Sequence, residues 1–282
     1  TSYIFEWYDV SPEVDLASIS LEYRRQYNMS RLSIREDSRY WPTHVLYGVN
    51  SMNWDTNNQK WRYNSALLVS PLGQKVDIYH KIHLVPFGEF VPARQTFPFM
   101  KMFTPYDFDY SCKPGERYTR FPVKCAERTY HFGCVICYED SDPSLARRYL
   151  ARDTEGVDFL VNISNDGWFN GTEEHEQHLA ICRFRAIETR RSMVRSVNMG
   201  ISTIIDPDGR ITVLPGETWG KSKKISAVVR GNVPIDTRTT LYTRFGDWFA
   251  LLCVLLTFAS IIGGWVRGRK KAQPVAARPL PT

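Results

Sequence analysis

Apolar positions along the chain alternate with polar ones in short runs and cluster at helical spacing in others. Val45-Leu46-Tyr47-Gly48-Val49-Asn50 reads as a strand, and Tyr63 to Pro71 as the next, ending at Leu72-Gly73. The polar stretch Trp54 to Arg62 between them reads as a hairpin turn. Val76 to Tyr79 leads into Tyr79-His80-Lys81-Ile82-His83-Leu84-Val85-Pro86-Phe87-Gly88-Glu89-Phe90-Val91-Pro92. Phe132-Gly133-Cys134-Val135-Ile136-Cys137-Tyr138-Glu139-Asp140 is an apolar run closed by an acidic pair, the look of a buried strand that delivers one side chain to a sheet edge. Phe159 to Phe169 is a second buried strand ending in a polar turn. Further strands are expected at Val194–Ile201, at Thr203–Ile211 around the turn Pro207-Asp208-Gly209, and at Lys224–Arg230. Helical spacing covers Leu16 to about Arg35, with Arg24, Arg25 and Arg31 on its polar face. It recurs in Pro143–Arg152, with Asp142 as N-cap and Arg147 and Arg148 exposed. Thr172–Met193 is the longest helix candidate, with a partial apolar face formed by Leu179, Ile181, Cys182, Ala186 and Ile187. Residues 1–20 and 95–118 read as loops; the second is rich in aromatics (Phe97, Phe99, Phe103, Tyr106, Phe108, Tyr110), either a lid on its own core or a surface for an acyl chain or membrane. Alternating strands and helices with hairpins predict an α/β sandwich.

Phe249 to Val266 contains no charge, a length that spans a bilayer as a helix. Trp248 and Trp265 stand where interfacial aromatics belong, and Arg267-Gly268-Arg269-Lys270-Lys271 follows. The basic cluster predicts a cytoplasmic tail and a main domain on the far side of the membrane, periplasmic in a Gram-negative cell. The expected organisation is a domain over residues 1–235, a linker over 236–247, a transmembrane helix over 248–266 and a basic, Pro-rich tail over 267–282.

The 282 residues are 43% hydrophobic, enough for one large domain with a substantial core. The net charge of +6 is concentrated in the tail, so no nucleic-acid footprint is expected. Six cysteines do not make a dense disulfide framework at this length. Cys134 and Cys137 form a lone C-x-x-C whose strand geometry puts them on opposite faces, a weak zinc or redox signal. Cys112 and Cys125 flank a loop and either pair in an oxidising compartment or remain free thiols. Cys182 and Cys253 sit in apolar settings as packing residues. Glu174, His175 and His178 lack metalloprotease spacing and read as helix-start polarity; no metal and no cofactor are expected. A thiol reacts as its thiolate and needs a cation or base nearby; Cys137 is the candidate nucleophile, and its best basic partner lies upstream in the stretch Tyr79 to Pro92.

The blocks Lys81 to Pro92, Cys137-Tyr138-Glu139 and Asn165-Asp166-Gly167-Trp168-Phe169 together resemble the nitrilase (carbon-nitrogen hydrolase) superfamily, and within it the apolipoprotein N-acyltransferases. Arg185-Ala186-Ile187-Glu188, Arg195 to Gly200 and Ile205 to Arg210 continue the resemblance, which runs from near Val45 to about Val266. It implies a nitrilase-like αββα sandwich followed by one C-terminal transmembrane helix, in a multi-pass protein of the bacterial inner membrane. It also implies Cys137, Lys81 and Glu89 as catalytic residues, and Tyr138, Glu139, Asp166 and Trp168 as substrate or oxyanion residues. The implied partners are a phospholipid acyl donor, an apolipoprotein acceptor and the membrane. The catalytic glutamate of the family is expected immediately before Thr1, along with N-terminal membrane helices; the alternative is Glu13, behind the poor strand Tyr8-Asp9-Val10. These 282 residues alone are expected to be inactive. The rival readings are a membrane-tethered amidase acting on a small C–N substrate and a non-catalytic membrane-anchored binding domain.

Overall fold

Side-chain parity in one strand sets the layering. In β3 (Lys60–Val69), Leu67 and Val69 face one way and Ala66 and Leu68 the other, and all four are buried. A strand buried on both faces needs cover on both sides. Leu67 and Val69 pack with Trp7, Ile34, Val49 and Ile78 beneath helix α1 (Leu21–Ser38). Ala66 and Leu68 pack with Tyr79, Phe121, Phe132, Cys134, Ile136, Val161 and Ile163, the inner face of a second sheet. The outer face of that sheet offers Val135, Leu160 and Met193 to Leu145, Ala146, Leu179, Cys182 and Ala186 of α2 (Pro143–Arg148) and α3 (Glu174–Thr189). The result is the expected αββα sandwich. The structure, a computed structural model, describes residues 6–92, 99, 102, 110–151 and 156–271, with side chains as far as Gly268.

The first sheet has the order β1-β2-β3-β4, from β1 (Trp7–Val10), β2 (Val45–Trp54), β3 and β4 (Lys75–His80). β1 runs parallel to β2; the other pairs are antiparallel. The second sheet has the order β10-β9-β8-β7-β6-β5, from β5 (Arg120–Cys125), β6 (Arg128–Ile136), β7 (Phe159–Asn165), β8 (Ser192–Asn198), β9 (Thr203–Ile205) and β10 (Ile211–Val213). β6, β7 and β8 are parallel, so their carboxyl ends share one edge.

Several sequence expectations are corrected. Residues 7–10 form a strand rather than a loop, because Asp9 is neutralised by Arg31 and Lys75 while Trp7 enters the core. Arg31 does not lie on a polar solvent face: it donates to the Tyr8 carbonyl and Asp9 and stacks on Tyr27. α3 stops at Thr189 because Arg190 turns left-handed, and both α1 and the C-terminal helix are longer. Lys224–Arg230 joins no sheet; Lys224 has a positive φ, and Val228 and Ile225 face outward without a partner layer to bury them. Arg147 is half-buried rather than exposed, for it donates to the carbonyls of Tyr242 and Thr243. Those carbonyls belong to α4 (Leu241–Phe245), a short helix within the expected linker, whose Thr240 and Thr243 hydroxyls also bond the Glu188 carbonyl. α5 (Trp248–Lys271) follows; over Trp248–Gly268 it is long and apolar enough to cross a membrane, and none of that stretch is buried against the domain. All six cysteines are free, Cys112 and Cys125 included. Of the aromatic stretch 95–118, Phe97, Phe103, Tyr106 and Phe108 lie outside the described residues; Phe99 is exposed and Tyr110 buried.

Candidate active site

Cys137 stands one residue beyond β6, where the backbone leaves the strand with φ +52° and enters a 3₁₀ turn, Cys137–Ser141. A left-handed φ at a non-glycine residue is strained and persists only where surrounding bonds enforce it. Gly133 lets the strand approach α2: a Cβ there would lie 2.6 Å from the ring of Tyr149, whose hydroxyl donates to the Cys134 carbonyl. Cys137 itself is half-buried against the inter-sheet core.

Lys81 follows β4 directly. Its side chain is 1% exposed and its Nζ lies 2.7 Å from Glu89 Oε2. Glu89 also accepts from Asn64 Nδ2 at 2.7 Å and from the Val85 N–H at 2.8 Å. A buried ammonium needs a fixed anion, and a buried carboxylate needs donors; here each requirement answers the other. The Asn64 carbonyl accepts the Lys81 N–H, and Gly115 donates to the Lys81 carbonyl, so the lysine is fixed at both ends.

Glu139 joins the two segments. Fully buried, it accepts from Tyr79 Oη at 2.8 Å and from the N–H groups of Ile82 at 2.7 Å, His83 at 3.1 Å and Ile136 at 2.7 Å. Burial pushes its carboxyl up to about 7, with the four donors pulling the other way. His83 Nδ1 adds a contact of 2.6 Å to Asp142, the N-cap of α2.

Asp166 opens the 3₁₀ turn after β7 and is also fully buried, bonded to Ser164, His178 and Arg195. Burial works against its charge, but His178 and Arg195 hold its carboxyl below the usual carboxylate range. Glu139 and Asp166 therefore brace the site from beneath. Trp168 (78% exposed) and Tyr138 (53% exposed) stand in solvent, as do parts of Phe87 and Met199. Glu13 is exposed in the turn after β1. A cavity of about 250 Å³ lined by Tyr63, His80, Lys113, Gly115, Arg117 and Thr119 lies beside Lys81 without including Cys137. Burial lowers His80 there to about 4, and its Nδ1 bonds Ser65 at 2.7 Å.

The sequence reading misses Asn64, Tyr79, Asp140, Asn162, His178 and Arg195. One signal was available for part of this set. Asn162 and Ser164 share a face with Leu160 in a run otherwise apolar, and Arg195 sits inside a strand, two places where a polar side chain needs a buried partner.

The site has a thiol at a strand end and, tied to that turn through Glu139, the segment that carries a fixed lysine–glutamate pair, the elements of nucleophilic acyl chemistry. The chain is 34% identical over 204 residues to an apolipoprotein N-acyltransferase 2 of Treponema denticola, covering 72% of this chain and 37% of that protein. It is 36% identical over 210 residues to the apolipoprotein N-acyltransferase of Geobacter metallireducens, covering 73% and 37%. The chain thus spans less than two fifths of the length of these curated relatives. Among solved structures it is similar to Saccharomyces cerevisiae Nit3, of the nitrilase superfamily, with TM-score 0.47 and 17% identity over 76% of this chain and 65% of that one. Residues 31–230 match the carbon-nitrogen hydrolase model, and the chain belongs to the carbon-nitrogen hydrolase family.

Proposed function

We propose that this chain carries the acyl-transfer site of an apolipoprotein N-acyltransferase. The observation that carries the reading is Glu139, whose one carboxylate binds the residues after Lys81 to those flanking Cys137. The relatives' names supply the substrate class. The Cys137 thiolate attacks the ester carbonyl of a phospholipid. The C–O bond breaks, and the lysophospholipid leaves as its alcohol with a proton from the general base. The resulting thioester is attacked by the N-terminal amine of a diacylglyceryl-cysteine on an apolipoprotein. The C–S bond breaks, the base takes the amine proton, and the thiol is restored. Lys81, held by Glu89, faces the developing oxyanion together with the Tyr138 N–H. Asp166 and Trp168 shape the acceptor side. The base is a carboxylate, either Glu13 or one contributed by another part of the full protein.

The membrane part of the reading rests on α5, whose apolar stretch finds no cover in the domain, and on exposed Trp168, Tyr138, Phe87, Phe99 and Met102. α5 crosses the bacterial inner membrane, the basic tail lies in the cytoplasm and the sandwich lies outside it.

Mass spectrometry of the full-length protein after incubation with phospholipid tests the chemistry. A hydroxylamine-sensitive acyl adduct mapped to Cys137, absent in Cys137→Ala, is the expected result. An adduct that persists in Cys137→Ala overturns the assignment, and ammonia release from small amides without lipid transfers it to an amidase.

A further inference from the structure

Four charged side chains lie buried together between the second sheet and α3, and of them only Asp166 has a part in the machinery described above. They are Asp140 on the nucleophile turn, Asp166 on the turn after β7, His178 on α3 and Arg195 on β8. His178 Nε2 is 3.0 Å from Asp140 Oδ1, and its Nδ1 is 3.0 Å from both oxygens of Asp166. Carboxylates only accept, so a ring that serves one on each side donates from both nitrogens and is an imidazolium. Arg195 Nη2 donates to Asp166 at 2.9 Å and its Nη1 to Asp140 at 3.3 Å. Two anions and two cations make the group electroneutral. Three further side chains pack here: Cys182 donates to Asp140 from the same helix, the Phe169 ring meets the imidazole edge-on, and buried His175, also on α3, has its Nδ1 3.8 Å from Asp166 while its Nε2 accepts the Gly171 N–H.

Two paths lead from this group to Cys137. Asp140 lies three residues along the same 3₁₀ turn. Arg195 Nη1 also donates to Asn162 Oδ1 at 2.7 Å, and Asn162 Nδ2 donates in turn to the carbonyls of Val135 at 3.3 Å and Cys137 at 3.5 Å. Both paths end on the backbone that holds φ +52°, a conformation that must be enforced from outside.

We propose that His178 is a positioning residue for Cys137: bridging Asp140 and Asp166, it locks the nucleophile turn to the Asn165–Phe169 turn and keeps the thiol in its attacking geometry. This rests on the acyl-enzyme reading of Cys137. The mutual bonds also set a pH limit. Burial opposes the charged ring, but the bonds with Asp140 and Asp166 outweigh it and raise His178 to about 9. Above that pH a neutral ring has one N–H for two carboxylates, and the lock opens.

The test uses the full-length protein and its His178→Gln variant, with folding verified by circular dichroism. Phosphatidylethanolamine–phosphatidylglycerol vesicles serve as acyl donor, and iodoacetamide serves as a small probe of Cys137. In the variant, acyl-adduct formation is expected to slow about 100-fold, the cost of a misplacement near 1 Å, with the half-saturating lipid concentration unchanged. The parent should lose acylation rate as pH rises through about 9, and the variant should lack that limb. Equal rates and equal profiles overturn the proposal. If the variant does not fold, the parent's profile decides, and an acylation rate that holds through pH 9 overturns it. If the parent forms no acyl adduct, the acyl-donor reading fails and iodoacetamide decides. Parent and variant alkylation rates that differ at pH 7 and converge above pH 9 uphold positioning; equal rates at both sink it.

Discussion

At the residue scale, the site is a set of buried charges, each fixed by a partner. Lys81 and Glu89 are the simplest case. Removing the cation alone leaves a carboxylate facing the interior, so Lys81→Met should destabilise the domain by about 3 kcal/mol, the low end for a broken buried pair because Asn64 and Val85 still donate to Glu89. Adding Glu89→Gln should recover part of that loss in chemical denaturation while leaving acyl transfer abolished. An additive double mutant would refute the coupling. Glu139 gives a pH signature of its own. Its folded value near 7 stands above the ordinary 4.5, so its contribution to stability is complete below about 4.5 and is lost as pH rises through about 7. Thermal unfolding of Glu139→Gln, compared with the parent across that window, should show a stability difference that changes with pH in this direction; a constant difference would mean that Glu139 does not titrate there. The pairing of Lys81 with Glu89 was legible in the sequence because both sit inside one unbroken block. Asp140, Asn162, His178 and Arg195 were not, because their partners are brought together only by the crossing of α3 over β7 and β8. No local pattern says that a histidine at the start of a helix points inward.

At the scale of elements, parity carried most of the reading. β2, β3, β6 and β7 were all found from alternation or a buried run. The failures share one cause: an element's fate depends on whether another layer covers it. β1 looked too polar until Asp9 met Lys75 and Arg31, and residues 224–230 looked apolar enough but have no sheet edge that accepts them. Near the end of α2, Arg147 reaches α4, where its guanidinium meets the carbonyls of the last turn of that helix. Arg147→Ala should therefore free α4 from the domain. Limited proteolysis should show faster cleavage near residues 240–247 with little change in the unfolding midpoint; unchanged cleavage would mean the Thr240 and Thr243 bonds to Glu188 suffice. Gly133→Ala acts at the strand–helix contact. Its methyl would meet the Tyr149 ring at 2.6 Å, and such overpacking costs about 1–3 kcal/mol, measurable as a lower denaturant midpoint.

At the scale of the whole molecule, the sandwich and α5 bury their apolar surface differently. The sandwich closes its own cores, from the α1 layer through the two sheets to α2 and α3, and α5 contributes to none of them. Over Trp248–Gly268 this helix is long and apolar enough to cross a membrane, and on the membrane reading proposed above its side chains meet lipid, since they gain nothing from the described part of the domain. Deleting residues 248–282 should then separate two properties. The remaining domain should keep its far-ultraviolet spectrum and its unfolding midpoint, because no core contact is removed. Its location should change, from a membrane pellet that resists alkaline carbonate to the soluble fraction. A truncated chain that unfolds would show that α5 packs on the sandwich after all. A truncated chain that stays in the pellet would place the membrane contact on the exposed rim around Tyr138 and Trp168, and the acyl donor would then be met by the domain surface itself.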